Sequence, residues 1–269
     1  MKKILVALIV MLGLNSMVMA DDINLWKKST LNQILQKGVL RVGMEPGYMP
    51  FEMKDTKGNI IGFDVDMAKA MAKAMGVKLE LVPTAWDGII AGLLTDKFDI
   101  IMSGMTITQE RNLKINFANP YISVGQTIIA DKKHAGKTWK ELDNPDYTIV
   151  TKLGVTGEIA TRKMFRKAKI RTFETEADAA QEVLNGKADA FVYDKPYNAI
   201  FYSQKAATGK IIHLDEDLTY EPLGWAIRKG DPDFLNWLDN FLNQVKKDGL
   251  YDKIYTKWFE RDAWQKKVM

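Results

Sequence analysis

A strand–loop–helix pattern runs through the first part of this chain, breaks off in a polar stretch, and then starts again. In the first series, residues 39–43 (Val-Leu-Arg-Val-Gly) read as a strand followed by a rigid loop, Met44-Glu45-Pro46-Gly47-Tyr48-Met49-Pro50-Phe51. Residues 78–82 alternate as a strand and lead through Trp86 into a helix over 88–94, and the apolar run 98–102 leads into Ser103-Gly104-Met105-Thr106-Ile107-Thr108-Gln109-Glu110-Arg111. In the second series, strands at 147–151, 170–173 and 190–193 alternate with helices at 159–165, 177–185 and 196–204. Alternation of this kind implies sheets flanked by helices, and two series imply two α/β lobes that present strand C-terminal ends to a common cleft. Loops just beyond such ends are where open α/β sheets hold ligands.

The remaining segments fit around that frame. Residues 65–75 form a helix with Met67, Met71 and Met75 on one face, a core stripe rather than a metal box, because no His or Cys is interleaved. Residues 221–227 read as one further strand crossing back between the lobes. Asp231-Pro232 caps a helix that reaches Val245, and a last helix covers 251–259. His134 and His213 stand alone in polar surroundings and are expected to be exposed. Asp64 and Asp66 read as helix-entry acids with no third ligand nearby, so no metal site and no cofactor is expected.

Composition narrows the class of function. Lys2-Lys3, an apolar run from Ile4 to Leu14, and the small residues Val18 and Ala20 spell an export leader, with cleavage expected after Ala20. The apolar run is short for a membrane span. The chain has no cysteine, so neither a lipid-bearing cysteine nor a disulfide is expected. The formal net charge is +4, two of the lysines lie in the leader, and the charges are interspersed, which argues against nucleic acid as partner. The expectation is an exported protein retained in a periplasm.

The segment Ser103 to Arg111 carries the densest chemistry. Small residues at 103 and 104 leave main-chain groups open to a guest, Thr106 and Thr108 add hydroxyls, and Arg111 carries a planar fork that fits a carboxylate. Together they make a plausible anion seat; the same nine residues also fit an ordinary strand–turn–helix with a surface arginine. Tyr48 and Trp86, on two loops that follow strands, begin to look like an aromatic clamp. Asp194 follows the last strand of the second series as Ser103 follows Met102 in the first.

Four segments together resemble the polar amino-acid-binding proteins of bacterial ABC importers. They are Gly62-Phe63-Asp64-Val65-Asp66, Thr106 to Arg111, Gly154-Val155-Thr156-Gly157-Glu158, and the run Asp248-Gly249-Leu250-Tyr251-Asp252-Lys253 continuing to Phe259. The likeness covers nearly all the chain after the leader. It implies a two-lobe type II periplasmic binding protein fold joined by two hinge strands, with lobe one at 21–124 plus 224–269 and lobe two at 125–223. It further implies that Arg111 clamps the ligand α-carboxylate with amides near Thr106 and Thr156, and that Asp194 takes the α-ammonium with help from Thr106 and the Gly104 carbonyl. Tyr48 and Trp86 would sandwich the side chain, and Glu45 and Ser103 would meet its far end.

An acid at 45 beside two π-faces favours lysine or arginine, then ornithine and histidine, with glutamine still open. The implied partners are a free amino acid and the transmembrane permease, with the protein a monomer; a chemosensory partner fits the same cleft. The alternative is a periplasmic cyclohexadienyl (prephenate/arogenate) dehydratase, which shares the fold and would use Glu158 as general acid. Those enzymes carry Asn-Pro where this chain has Lys152-Leu153, so no catalytic residue is expected. N-terminal sequencing of periplasmic material should read Asp21 first; an intact Met1 in the membrane fraction would overturn the leader.

Overall fold

The computed structural model describes residues 28–268, so the expected leader and its cleavage site lie outside the described residues. The chain enters through α1 (Thr30–Lys37), which ends on Gly38 in the left-handed conformation, its N–H donating to the Ile34 carbonyl at 2.8 Å. That stop turns the chain into β1 (Val39–Met44), which pairs in parallel with β4 (Lys78–Pro83) on one side and β5 (Ile100–Ile101) on the other. Between β1 and β4 come the hairpin β2 (Met53–Lys54) and β3 (Ile60–Ile61) and the helix α2 (Phe63–Met75). α3 (Trp86–Leu94) joins β4 to β5, and the short α4 (Gln109–Asn112) leads to β6 (Asn116–Phe117). The methionine stripe of α2 is core, with Met67 and Met71 fully buried and Met75 packed against them.

The chain then crosses through β7 (Ile122–Val124) into a second sheet. There β9 (Thr148–Lys152) pairs in parallel with β10 (Lys169–Phe173) and with β11 (Ala190–Asp194). β8 (Gln126–Asp131) is antiparallel to β11 and to β12 (Ile211–Leu214). α5 (Thr156–Met164), α6 (Glu176–Leu184) and α7 (Lys195–Lys205) connect these strands. The return crossing is β13 (Glu221–Leu223), paired antiparallel with β7, after which β14 (Ala226–Ile227) closes the first sheet between β5 and β6. α8 (Pro232–Lys247) and α9 (Leu250–Tyr255) pack back on the first lobe. The result is two five-stranded sheets, ordered β4-β1-β5-β14-β6 and β10-β9-β11-β8-β12, joined by a two-stranded ladder.

Four sequence readings need correction. Residues 221–227 are not one strand: Gly224-Trp225 breaks them into β13 and β14, which belong to different sheets. The break carries Trp225 into the core, fully buried and stacked on Tyr121 at 5.4 Å. The last helix ends at Tyr255 and continues as one wider turn over Thr256–Glu260. His134 is 2 % exposed rather than on the surface, with Nε2 at 2.8 Å from Asp189 and its ring against Tyr147. His213 is half-buried, its Nε2 at 2.9 Å from the Thr127 hydroxyl. Both histidines found neighbours far away in sequence, which a reading of local polarity misses.

The loop after β1 is pinned to the start of α2. Phe63 and Asp64 donate their N–H groups to the carbonyls of Pro50 and Phe51 at 3.0 and 2.9 Å. Gly62 makes this possible, since its φ is +147° and a Cβ there would lie 2.1 Å from the Phe51 carbonyl oxygen. Gly62→Ala should therefore cost on the order of 2–4 kcal/mol, combining backbone strain with displacement of main chain. A urea midpoint unchanged from the parent protein would refute this.

Candidate functional site

The C-terminal ends of β1, β5, β9 and β11 bring Glu45, Ser103, Lys152 and Asp194 to the seam between the two sheets. The residues expected to bind ligand line one cavity there, Glu45, Tyr48, Trp86, Ser103, Gly104, Thr106, Arg111, Thr156 and Asp194, while Thr108 and Glu158 line a neighbouring one. The free volume of the main cavity is only about 20 Å³, so the side chains that meet across the seam nearly fill it. Glu52, Val155 and Tyr193 complete the wall.

On one side lies Arg111, placed by Thr108, whose hydroxyl accepts the Arg111 N–H at 3.1 Å as the cap of α4. Arg111 Nη1 donates to the Thr106 carbonyl at 2.8 Å, and the guanidinium lies 5.3 Å from the Trp86 ring centre. Burial pulls its pKa down while the charges of Glu221 and Asp194 pull it up, and a guanidinium stays charged throughout. Thr106 is tied to Leu223 by an isolated antiparallel bridge, and its hydroxyl lies 3.3 Å from that of Thr156 on the other lobe. Thr156 opens α5, whose cap residue Val155 offers no side-chain acceptor, so the first amides of that helix depend on an outside partner.

Facing Arg111 is Asp194, 7 % exposed, its carboxylate hydrogen-bonded by Tyr48 Oη from the first lobe and by Gln126 Nε2 from the second. Burial pushes this carboxyl up to about 7; the Tyr48 hydroxyl holds it down and the charge of Glu221 adds to the rise. Tyr48 also stacks on Phe51 at 4.6 Å, and its ring fills the space a Cβ on Gly104 would occupy.

The far end of the cavity is acidic. Ser103 Oγ accepts the Glu45 N–H at 3.0 Å and donates to Glu52 Oε1 at 2.7 Å. Behind Glu52 lies Asp64, whose carboxylate accepts the Gly104 N–H and the Tyr121 hydroxyl, each at 3.0 Å. Burial and the charge of Asp64 push the Glu52 carboxyl well above its ordinary range. Lys152, 2 % exposed, donates to Glu45 from across the seam and to Glu176 at 2.8 Å. A last seam bond runs from Trp86 Nε1 to the Gly154 carbonyl at 2.9 Å.

Two expectations about this site change. The Gly104 N–H is not open to a guest, because Asp64 takes it, and the Ser103 hydroxyl is already used at both ends. Glu45 is not a solitary acid, since Lys152 is paired with it. Sequence reasoning missed Glu52, Glu176, Tyr193 and Gln126. For Glu176 a signal existed, as Thr175-Glu176 marks a helix start, but only the fold shows its carboxylate buried against Lys152. Glu158 lies in a neighbouring cavity, where its oxygens accept from the Gly154 N–H and pair with Arg162. Among the described residues no group of three His, Cys, Asp or Glu could hold a metal, and no helix is long and apolar enough to cross a membrane.

Two sheet-bearing lobes with a polar, two-sided cleft define a type II periplasmic binding protein fold. Residues 40–261 match the bacterial extracellular solute-binding proteins, family 3, and the chain belongs to that family. A Wolinella succinogenes protein, solved as an ABC-transporter binding component complexed with lysine, is 61 % identical with a TM-score of 0.83, covering 86 % of this chain and all of that one. The probable histidine-binding protein of Neisseria gonorrhoeae is 36 % identical over 84 % of this chain and 85 % of its own. The cyclohexadienyl dehydratase of Pseudomonas aeruginosa is 30 % identical, covering 87 % of each chain.

Proposed function

We propose that this protein is the substrate-binding component of an amino-acid ABC importer, and that it takes lysine or arginine in the cleft and presents it to a membrane permease. The observation that carries this reading is the pairing of Arg111 with Asp194 across one cavity whose far end is lined by carboxylates. The Arg111 fork suits an α-carboxylate, supported by the amides at Thr106 and at the start of α5, where anions are favoured. Asp194, Thr106 and the Gly104 carbonyl suit the α-ammonium. Tyr48 and Trp86 border the side chain, and Glu45 meets its cationic end with Ser103 holding the Glu45 loop. The 61 % identical protein complexed with lysine supports the same choice of ligand.

The lobes divide at 124/125 and 223/224, a boundary supported by the β7–β13 ladder. The family and the leader motif support export to a periplasm with cleavage after Ala20, and the protein works as a monomer. It is a binder rather than an enzyme. The dehydratase relative keeps the other reading in view, but Glu158 is engaged by Gly154 and Arg162 outside the main cavity, and Lys152 stands where the enzymes carry asparagine. Incubation with prephenate and arogenate should give no turnover; turnover on a seconds scale that Glu158→Gln removes would reverse the assignment.

Three outcomes test the binding reading. In a thermal-shift panel of the twenty amino acids plus ornithine, lysine and arginine should give the largest rises and glutamate and aspartate none. Arg111→Ala and Asp194→Ala should each lose about 2–5 kcal/mol of binding, because each leaves a desolvated ligand charge unpaired. That is a weakening of roughly 30-fold to several thousand-fold in calorimetry, and a change of only a few-fold would refute the site. The third outcome is a pH dependence. Asp194 must be ionised to hold an ammonium, and burial raises its carboxyl to about 7, so protons compete with ligand below that value. Affinity should therefore rise about tenfold from pH 6 to pH 8, with proton release on binding at pH 6. A flat profile would mean that Asp194 does not meet the ligand.

A further inference from the structure

Two carboxyl groups, Glu45 and Glu52, line the far end of the cavity, and a third, Glu176 of the second lobe, is buried against the one lysine or arginine side chain that is fully buried among the described residues. That side chain is Lys152, which ends β9 and is covered by both lobes. Its ammonium donates to Glu45 Oε2 and to Glu176 Oε2, the latter at 2.8 Å, and sits 5.9 Å from the Trp86 ring centre. Glu176 is held from the other side by close packing, since a Cβ on Gly47 would come within 2.7 Å of its Oε1. The second oxygen of Glu45 has only a long contact, 3.4 Å, with the Trp86 N–H. Glu45 therefore retains acceptor capacity toward the cavity while Lys152 occupies its other face.

The charges at this end can be counted. Glu52 is pushed toward its neutral form by burial and by Asp64, and burial raises Asp64 itself to about 7, its Oδ2 held behind the pocket by the Gly104 N–H and the Tyr121 hydroxyl. Burial lowers the Lys152 ammonium, but Glu176 and Glu45 more than compensate and leave its pKa raised. Around Lys152 the geometry sets two carboxyl groups, Glu45 and Glu176, against one ammonium. We propose that Lys152 is a specificity-determining residue, a built-in cation that leaves one negative charge at the far end of the cleft and so matches it to a singly cationic ligand side chain. The inference rests on the reading of the cavity as a basic amino-acid site and goes beyond it. Removing the lysine over-charges the pocket and sharpens its preference for cations, whereas removing Glu176 neutralises the pocket and abolishes that preference. Removing both charges restores the balance.

Arginine and citrulline are nearly the same shape and differ by one charge, so the ratio of their affinities reads the pocket charge directly. Calorimetry with both ligands on the full mature chain should show a preference for arginine at least tenfold larger than wild type in Lys152→Gln. In Glu176→Gln it should be at least tenfold smaller, and in the double variant within about threefold of wild type. Circular dichroism melts report folding; if Lys152→Gln alone does not fold, Glu176→Gln and the double variant, in which two amides can hydrogen-bond each other, still decide. A ratio unchanged in Glu176→Gln, or a double variant as far from wild type as that single variant, would overturn the inference while leaving the amino-acid site intact. A wild-type protein that binds neither lysine nor arginine would overturn the reading of the site and the inference with it.

Discussion

The buried carboxylate of Asp194 is the point on which the two halves of this molecule depend. It accepts from Tyr48 on one lobe and from Gln126 on the other, in surroundings that disfavour its charge. A buried acid is costly unless its lone pairs are met, and here one of the donors belongs to the opposite lobe. The seam is thus held by a group that is poorly solvated, half-satisfied from each side, and able to exchange one partner for another of positive charge. An interaction of this kind favours closure without fixing it, which is what a cleft that must open again requires.

The same logic runs along the seam. Glu45 and Lys152, Thr106 and Thr156, and Trp86 and Gly154 are all polar contacts between lobes, beside an aromatic one in which Tyr48 meets Tyr193 edge-on at 5.7 Å and one core cluster runs across the seam. An interface glued by aliphatic packing would resist opening; one made of hydrogen bonds exchanges protein partners for water at small net cost. Stability is placed elsewhere, in the parallel strands and in an aromatic series that runs from Tyr48 through Phe51, Phe63 and Tyr121 to Trp225, each ring within about 6 Å of the next.

The alternation of strands and helices was legible because each parallel strand is a short apolar run bounded by turn residues, and the site residues were legible because they follow such runs. Thr108 as the cap that places Arg111 is visible from residue type and spacing alone. What sequence hides is the pairing of groups far apart in the chain. Lys152 and Glu176 look like a strand-end lysine and a helix-start acid, and only the crossing of β9 past the loop after β1 brings them to Glu45. His134 was misjudged for the same reason, since Asp189, its partner, is 55 positions away. Gly224-Trp225 misled in the opposite direction: a locally continuous strand pattern concealed a change of sheet, imposed by the core's demand for the indole.

Every strand of the second sheet lies between β7 and β13, and those two strands are paired, with Val124 opposite Glu221. The whole second lobe therefore leaves and rejoins the first at neighbouring points, as an inserted segment does. Such a segment can be exchanged as a unit without disturbing the β1, β5 and α4 contributions of the host, because entry and exit stay a strand-width apart. Glu45, Tyr48, Trp86 and Arg111 would stay with the host, while Lys152, Thr156, Glu176 and Asp194 would travel with the insert. Recombination at the crossing would then combine one chain's half-pocket with another's, making the two-stranded ladder a natural joint for diversifying what such a protein holds.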